Sequence, residues 1–503
     1  MIGFYLQDSW KVTNRFTVNM GLRYDRTFIP TAGTDDHNNN FAGDMNYLNG
    51  TYILQRSAPP CSSGVTKGGC IPTPAGAPAG WLPPNVVLAE GGKVWRDTTK
   101  NFQPRLGFAY RLGANTVIRA SSGIFFDNYS GVTQIARNFI GTYPALGWQS
   151  AANLNYPSTA ALLPTISGFN PLPSATLPVA DPFSQSTYSG DPNWKNAYSI
   201  QWNFGFQHEL AQGFLVSANY VGSGSRRTDV GGRYGTALYP GPGRWQDRAP
   251  FPYMNIPSSF DRSWGTASYH GLQTSLERRW SKGLAFTASY TWSKTMDPGS
   301  SGFFGVEGNS IQNPYNMKAD HSVASYDVPH NLVLSWVYDL PFGKSKPLHT
   351  GNKVVDYAID HWQINGLADI RSGQPVNVTI AGDIANTGNN GERPNLIGDW
   401  HVDNSTPARW FAKEAFAAPA AFTFGNVGRN ILRSDGVHRV DMSVFRNFPF
   451  KERYMAQLRV EGYNVLNVVT YNAPVAEFTN ANFGGVTGAQ ASRSLQIGAR
   501  LYF

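Results

Sequence analysis

Hydrophobic and polar residues alternate one for one along a series of short segments spread over the whole chain. In RFTVNMGLRYD, Phe16, Val18, Met20, Leu22 and Tyr24 share one face of an extended chain, and Thr17, Asn19, Gly21, Arg23 and Asp25 share the other. YSIQWNFGFQHEL sets Tyr198, Ile200, Trp202, Phe204 and Phe206 against Ser199, Gln201, Asn203, Gly205 and Gln207. The final segment, SRSLQIGARLYF, sets Leu495, Ile497, Ala499, Leu501 and Phe503 against Ser494, Gln496, Gly498 and Arg500. A period of two is that of a β-strand with one oily and one wet face. Neighbouring segments are joined tightly: across VTNR, across GAN between PRLGFAYRL and TVIRASSGIFFD, across AQG before FLVSANYV, and across SKG between HGLQTSLERRW and LAFTASYTWSK. NLVLSWVYDL reaches WQINGLADIR through PFGKSK and a longer link, and HRVDMSVFRN reaches YMAQLRVEGYNV through FPFKER. The pattern predicts an all-β, antiparallel meander of about thirteen strands, six hairpins and a closing strand.

Between the hairpins run long Gly/Pro/Asn/Ser stretches at residues 27 to 101, 128 to 196, 224 to 267, 296 to 327, 372 to 436 and 467 to 492. Structureless loops beyond about 15 residues are uncommon in a compact soluble domain. Transmembrane β-barrels pair short periplasmic turns with long extracellular loops, so the rhythm predicts such a barrel and places Phe503 on the periplasmic side. Trp10, Tyr110, Trp280 and Tyr338 fall near the short-turn ends, and Phe126, Tyr220, Tyr290 and Trp292 near the long-loop ends, as interfacial girdles require. An odd strand count does not close a bacterial single-chain barrel. The expectation is therefore a partial barrel, residues 1–503 supplying the C-terminal part of one with about 22 strands.

Composition agrees. Charged residues are 15%, with 52 Gly and 33 Pro, and mean hydropathy is −0.32 without a run of about 18 apolar residues for a spanning helix. The net charge of +8 comes from scattered Arg and Lys with no basic cluster interleaved with stacking aromatics, so no nucleic-acid partner is expected. Cys61 and Cys70, in PPCSSGVTKGGCIP, suit a small loop disulfide in an oxidising space, whereas two thiolates without nearby His make an incomplete zinc site. MIGFYLQDSW starts inside a strand-like pattern without a basic n-region, apolar core or cleavage site. For an exported protein the expectation is a fragment, or a misassigned Met1.

The C-terminal strand ending on Phe503 resembles the terminal strand by which outer-membrane barrels are recognised for assembly. FYLQDSWKVTNRFTVNMGLRYD, NFQPRLGFAY with TVIRASSGIFFD, NYVGSGSRR, DLPFGKSK, RSGQP, RPNLIGD, FGNVGRNILRSDGVHRVDMSVFRNFPF and RVEGYNVLN together resemble the C-terminal barrel half of TonB-dependent outer-membrane receptors, most closely the Oar-like group. The resemblance implies active uptake of an organic ligand. Its partners are outer-membrane lipid, the barrel-assembly machinery, an extracellular ligand, and the TonB complex acting through a plug and N-terminal regulatory-like domain not seen in this sequence. The chain alone is then not expected to transport.

Catalytic signatures are missing where they are easiest to see. HELAQ at His208 and Glu209 has Gln212 where a zinc-protease motif needs its second His, and VGSGSR near Ser223 is neither a nucleophile elbow nor a phosphate loop. His270, His321, His330 and His361 are isolated and read as girdle or loop residues. No enzyme and no cofactor are expected. Candidate lumen residues on wet faces are Arg23, Arg105, Arg119, Gln201, Asn203, Gln207, Arg371, Arg459, Glu461 and Arg500, which suit an anionic or sugar-like substrate path and equally suit solvated wall charges. Asp8 is expected to pair with Arg23 and Asp25 in the lumen, and Glu461 with Arg459. TDDHNNN at residues 34 to 40 is a calcium candidate or a solvated turn. The competing readings are a passive porin-like or structural barrel, and a soluble carbohydrate-binding sandwich.

Overall fold

The computed structural model describes residues 1–28, 43–46, 51–56, 76–78, 80–82, 86–128, 188–210, 213–250, 258–299, 311–344, 346–450 and 453–503. Cys61, Cys70 and the TDDHNNN segment lie outside the described residues. Thirteen long strands form one wall: β1 (Ile2–Lys11), β2 (Phe16–Thr27), β3 (Thr98–Leu112), β4 (Thr116–Asp127), β5 (Ala197–Leu210), β6 (Phe214–Tyr234), β7 (Ser258–Ser281), β8 (Leu284–Asp297), β9 (His330–Asp339), β10 (Trp362–Arg371), β11 (Val437–Phe450), β12 (Tyr454–Tyr463) and β13 (Ser494–Tyr502). Each pairs antiparallel with the next in chain order. The short strands Tyr188–Gly190 and Ser322–Val323 attach to β7 and β8, making fifteen strands in the sheet. Among the described residues no pairing joins β1 to β13.

Local chemistry sets the register. Thr13 closes the first turn, its Oγ1 accepting from the Arg15 and Phe16 backbone N–H groups at 3.2 and 3.0 Å. Gly113 and Gly283 sit at φ 79° in their two-strand turns, a conformation that a Cβ disfavours. With these turns in place, Leu6, Leu22, Ser122, Trp202 and Gly222 follow one another across the wall in neighbouring rows of a single face. That face carries Met20, Leu106, Phe108, Phe204, Leu272, Leu458 and Ile497, all exposed, the last at 81%. A continuous exposed apolar surface of this extent needs a non-aqueous neighbour. Two of its indoles lie flat over cross-strand glycines, Trp202 over Gly222 and Trp336 over Gly366, filling space that a Cβ would occupy.

Two expectations about the connections are corrected. Residues 224 to 267 are not wholly loop: β6 runs on to Tyr234 and β7 begins at Ser258, and they stay paired beyond a register break at Arg226–Asp229, where Arg227 adopts φ 57°. The run GSGSRRTDVGG has no alternation to betray it, and its one apolar residue, Val230, is buried against Ile311 and Met317. The stretches at 372 to 436 and 467 to 492 are not structureless. They pack with residues 311–329 into a cap on the long-loop side, around Val378, Phe411, Ala415, Phe416, Val427, Leu432 and Phe483. On the opposite side the link from β9 to β10 carries the helix α1 (Lys353–Ile359), started by Asn352, whose Oδ1 accepts from the Val354 and Val355 N–H groups.

Candidate functional site

The second face of the wall is polar, and the register places all ten sequence-derived candidates on it. Across β1 to β6 one row reads Gln7, Gly21, Arg105, Gly123, Gln201, Ser223, and the next Ser9, Asn19, Gly107, Ser121, Asn203, Val221. Glycines between long polar side chains leave a hollow of about 430 Å³ bordered by Gln7, Asn19, Arg105, Ser121, Gln201 and Asn203. The Arg105 guanidinium lies 4.6 Å from the Phe125 ring centre, Asn203 donates to Ser121 Oγ at 2.7 Å, and Arg119 donates to Gln207. Arg23 is on the same face, nearer the long loops. Amides, a stacked guanidinium and a glycine floor offer donors and acceptors to a polar or anionic molecule.

Arg459, Glu461 and Arg500 form a second group on β12 and β13, separated from the first by the strands β6 to β11, and Arg371 stands apart at the long-loop end of β10, eight residues along the register from Arg459. Arg459 pairs with Glu461 at 2.6 Å, Arg371 with Asp369 at 3.6 Å, and Arg500 lies 4.9 Å from the Tyr502 ring. The structure thus gathers nine of the candidates into two clusters and leaves Arg371 apart. Asp8 is a correction: it stands opposite Met20 on the apolar face, three residues along the register from Arg23, whose neighbours are Tyr5 and Gln103.

At the long-loop end of the wall Asp25 is buried and accepts from Arg23 Nε at 3.0 Å, Gln103 Nε2 at 2.6 Å and Asn128 Nδ2 at 2.8 Å. Asn196 extends the network to Thr27 at 3.1 Å and Asn128 at 2.8 Å, tying the ends of β2, β3, β4 and β5.

Sequence reasoning missed what holds the cap. Arg393 and Arg429 are fully buried, and each binds a buried carboxylate, Asp320 and Asp297 respectively. Arg393 also donates to the Val427 carbonyl at 2.9 Å, and Arg429 to the carbonyls of Asp320 at 2.9 Å and Asp297 at 2.7 Å. Arg433 pairs with Asp327 at 2.6 Å. Asp297 ends β8, so the Arg429 pair fastens the cap to a strand end, while the Arg393 pair ties residues 311–329 into the cap. Burial raises Asp320 above the ordinary carboxylate range, against the pull of Arg393 and Arg429. The one available cue was arginine inside runs of turn formers with apolar neighbours, as in NVGRNILR.

A second fastening joins the cap to the segment after β6. Asn386 Nδ2 donates to the Gly241 and Gly243 carbonyls at 2.8 and 2.7 Å, and the Ala237 N–H donates to the Thr387 carbonyl at 2.8 Å. Beneath this contact Glu392 is buried, accepting from the Ile384 and Ala385 N–H groups at 3.0 Å each. Burial pushes its carboxyl up to about 7, and the facing Asp383 carboxylate adds to the rise against the Ala385 hydrogen bond. Among the described residues no group of three or more His, Cys, Asp or Glu is placed to hold a metal ion.

Solved structures of similar shape include the outer membrane transporter YddB from Escherichia coli, at TM-score 0.46 and 8% identity over 99% of this chain and 45% of that one. The ferripyoverdine receptor of Pseudomonas aeruginosa gives TM-score 0.42 and 11% identity over 99% and 38%, and the ferric-catecholate import receptor Fiu from E. coli K12 gives 0.40 and 12% over 99% and 44%. This chain spans less than half the length of each. No curated protein sequence matches it. The sequence profile of the outer membrane beta barrel domain matches residues 1–496, nearly the whole wall. With its antiparallel meander and exposed apolar face, the chain belongs to this outer-membrane β-barrel family, a protein of the bacterial outer membrane.

Proposed function

We propose that the chain forms the wall and outer cap of a TonB-dependent receptor of the Oar-like group, which takes up an organic ligand. In this reading the thirteen strands are part of a larger barrel, the polar face lines its lumen, and the long-loop side faces the exterior, as the inequality of the connections favours. TonB acts through a plug held in the complete barrel, and β13, with Leu495, Ile497, Ala499, Leu501 and Phe503, serves barrel assembly.

The observation that carries the reading is the cap. A pore that admits solutes by diffusion keeps an open mouth, whereas here long connections build an apolar core and bury two arginines against carboxylates, one of them at the end of β8. Rigidity of that kind suits a surface that recognises a ligand. The polar-face hollow on β1 to β6 offers amides and Arg105 to a polar or anionic one.

Growth of a deletion strain on defined organic nutrients, compared with a strain lacking TonB, tests this. Loss of the same nutrient in both strains is expected. Growth unaffected by TonB, together with solute diffusion through liposomes carrying the protein, would establish a passive porin instead.

A further inference from the structure

On the short-turn side, five connections leave at most four residues between strands, but between β9 and β10 the described residues 340–344 and 346–361 form a folded platform. Its backbone is cross-tied: the Gly343 N–H donates to the Leu348 carbonyl at 3.1 Å and the Leu348 N–H to the Pro341 carbonyl at 3.0 Å. Asp356 anchors the start of α1 by accepting from the N–H and Oγ1 of Thr350 at 2.7 and 2.8 Å. Although held in this way, α1 turns apolar side chains to the outside: Val354 is 78% and Tyr357 69% exposed, and Phe342 and Leu348 beside them are exposed too.

The platform leans to the apolar side of the wall. Arg446, opposite Trp362 and Leu458 in the apolar row, donates through Nη2 to the Tyr357 carbonyl, and its guanidinium lies 5.4 Å from the Tyr357 ring and 4.4 Å from that of Phe448. Trp362 Nε1 donates to the Ala358 carbonyl at 3.0 Å. Tyr, Trp and Arg at a strand end mark the headgroup level of a membrane. The platform's acids are occupied internally, Asp356 by Thr350 and Asp360 by the His361 N–H. Lys344, Lys346 and Lys353 have no ion-pair partner among the described residues.

We infer that the 340–361 platform docks on the inner leaflet of the outer membrane, α1 lying in the interface and Lys344, Lys346 and Lys353 engaging anionic phospholipid headgroups. Exposed apolar side chains rimmed by unpaired cations, on the lipid side of the wall, match that surface and no aqueous one. The inference rests on the short-turn side facing the periplasm.

Photo-crosslinking from Val354→p-benzoylphenylalanine in the full chain, assembled in outer membranes, tests it beside the same replacement at Leu106 in the middle of the apolar face. The expected result is a phospholipid adduct at both sites, enriched in phosphatidylglycerol at 354. The combined Lys344→Gln, Lys346→Gln and Lys353→Gln variant is expected to lower that enrichment several-fold without changing capture at 106. Lipid captured at 106 with only protein, or nothing, captured at 354 would overturn the inference. A lipopolysaccharide adduct at 354 would overturn it through the orientation, and failure of capture at 106 through the membrane reading of the wall itself.

Discussion

Asp320 is the residue on which the cap turns. One of its oxygens takes Arg393, the other has no hydrogen-bond partner, and burial raises the carboxyl despite two nearby guanidinium groups. Removing one partner of a buried pair strands the other charge, at about 3–5 kcal/mol. Asp320→Asn is therefore expected to open residues 372–436 to trypsin while the wall keeps its resistance to unheated detergent; an unchanged digestion pattern would show that the pair contributes little. Glu392 gives the cap a pH dependence of definite sign. Its carboxyl holds a proton up to about 7 in the folded cap, against 4.5 when unfolded. The folded state binds more protons between those values, so the stabilisation is complete below 4.5 and is lost as pH rises towards 7. Protease sensitivity of the cap should rise from pH 5 to pH 7.5 in the native chain. It should stay nearly flat in Glu392→Gln, which keeps an acceptor but cannot ionise, and parallel curves would refute the assignment.

At the scale of elements, what could be read from the sequence was what a two-residue period encodes. All thirteen wall strands and their order follow from alternation and turn residues, because each strand meets lipid-like surroundings on one face and water or polar groups on the other. Elements whose environment does not alternate escaped: the distal halves of β6 and β7, the cap built from Gly/Pro/Asn-rich connections, and the seven-residue helix α1. Asp8 was misplaced because pairing by charge was put ahead of parity, and parity governs the face. The placement of candidates on one face was legible; their division into two clusters with Arg371 apart was not, since that depends on which strands intervene and on the register between them. Parity also makes a sharp test on β13, where Ile497 faces Val460 on the apolar side and Gln496 faces Glu461 on the polar side. An arginine near the bilayer midplane costs about 2–4 kcal/mol on a lipid-facing strand. Ile497→Arg should sharply lower the folded, heat-modifiable fraction in outer membranes, whereas Gln496→Arg should leave it near the native level. Equal losses would mean that the two faces have been assigned wrongly.

The whole wall raises the question of its edges. Twelve successive antiparallel pairings bring β13 into the same direction as β1, so a direct seam between them would be the one parallel ladder among the long strands. Every residue of β1 is exposed, and β13 exposes most of its length, with Ile497 at 81% and the following Phe503 at 87%. Unpaired edges of this length recruit other strands, and in bacterial barrels the seam is antiparallel with an even strand number. Closing the wall by that rule would take a further strand between β13 and β1, which is what the proposed larger barrel supplies. The clean measurement is a cysteine pair at the centres of the two edges, Leu6→Cys with Ile497→Cys, in a background with Cys61→Ser and Cys70→Ser. Oxidation of the refolded chain should give disulfides between molecules and no cross-link within one, and light scattering should report association that depends on concentration. A high yield of intramolecular disulfide between the two introduced thiols, in a monodisperse monomer, would instead demonstrate a wall that closes on itself through a parallel seam.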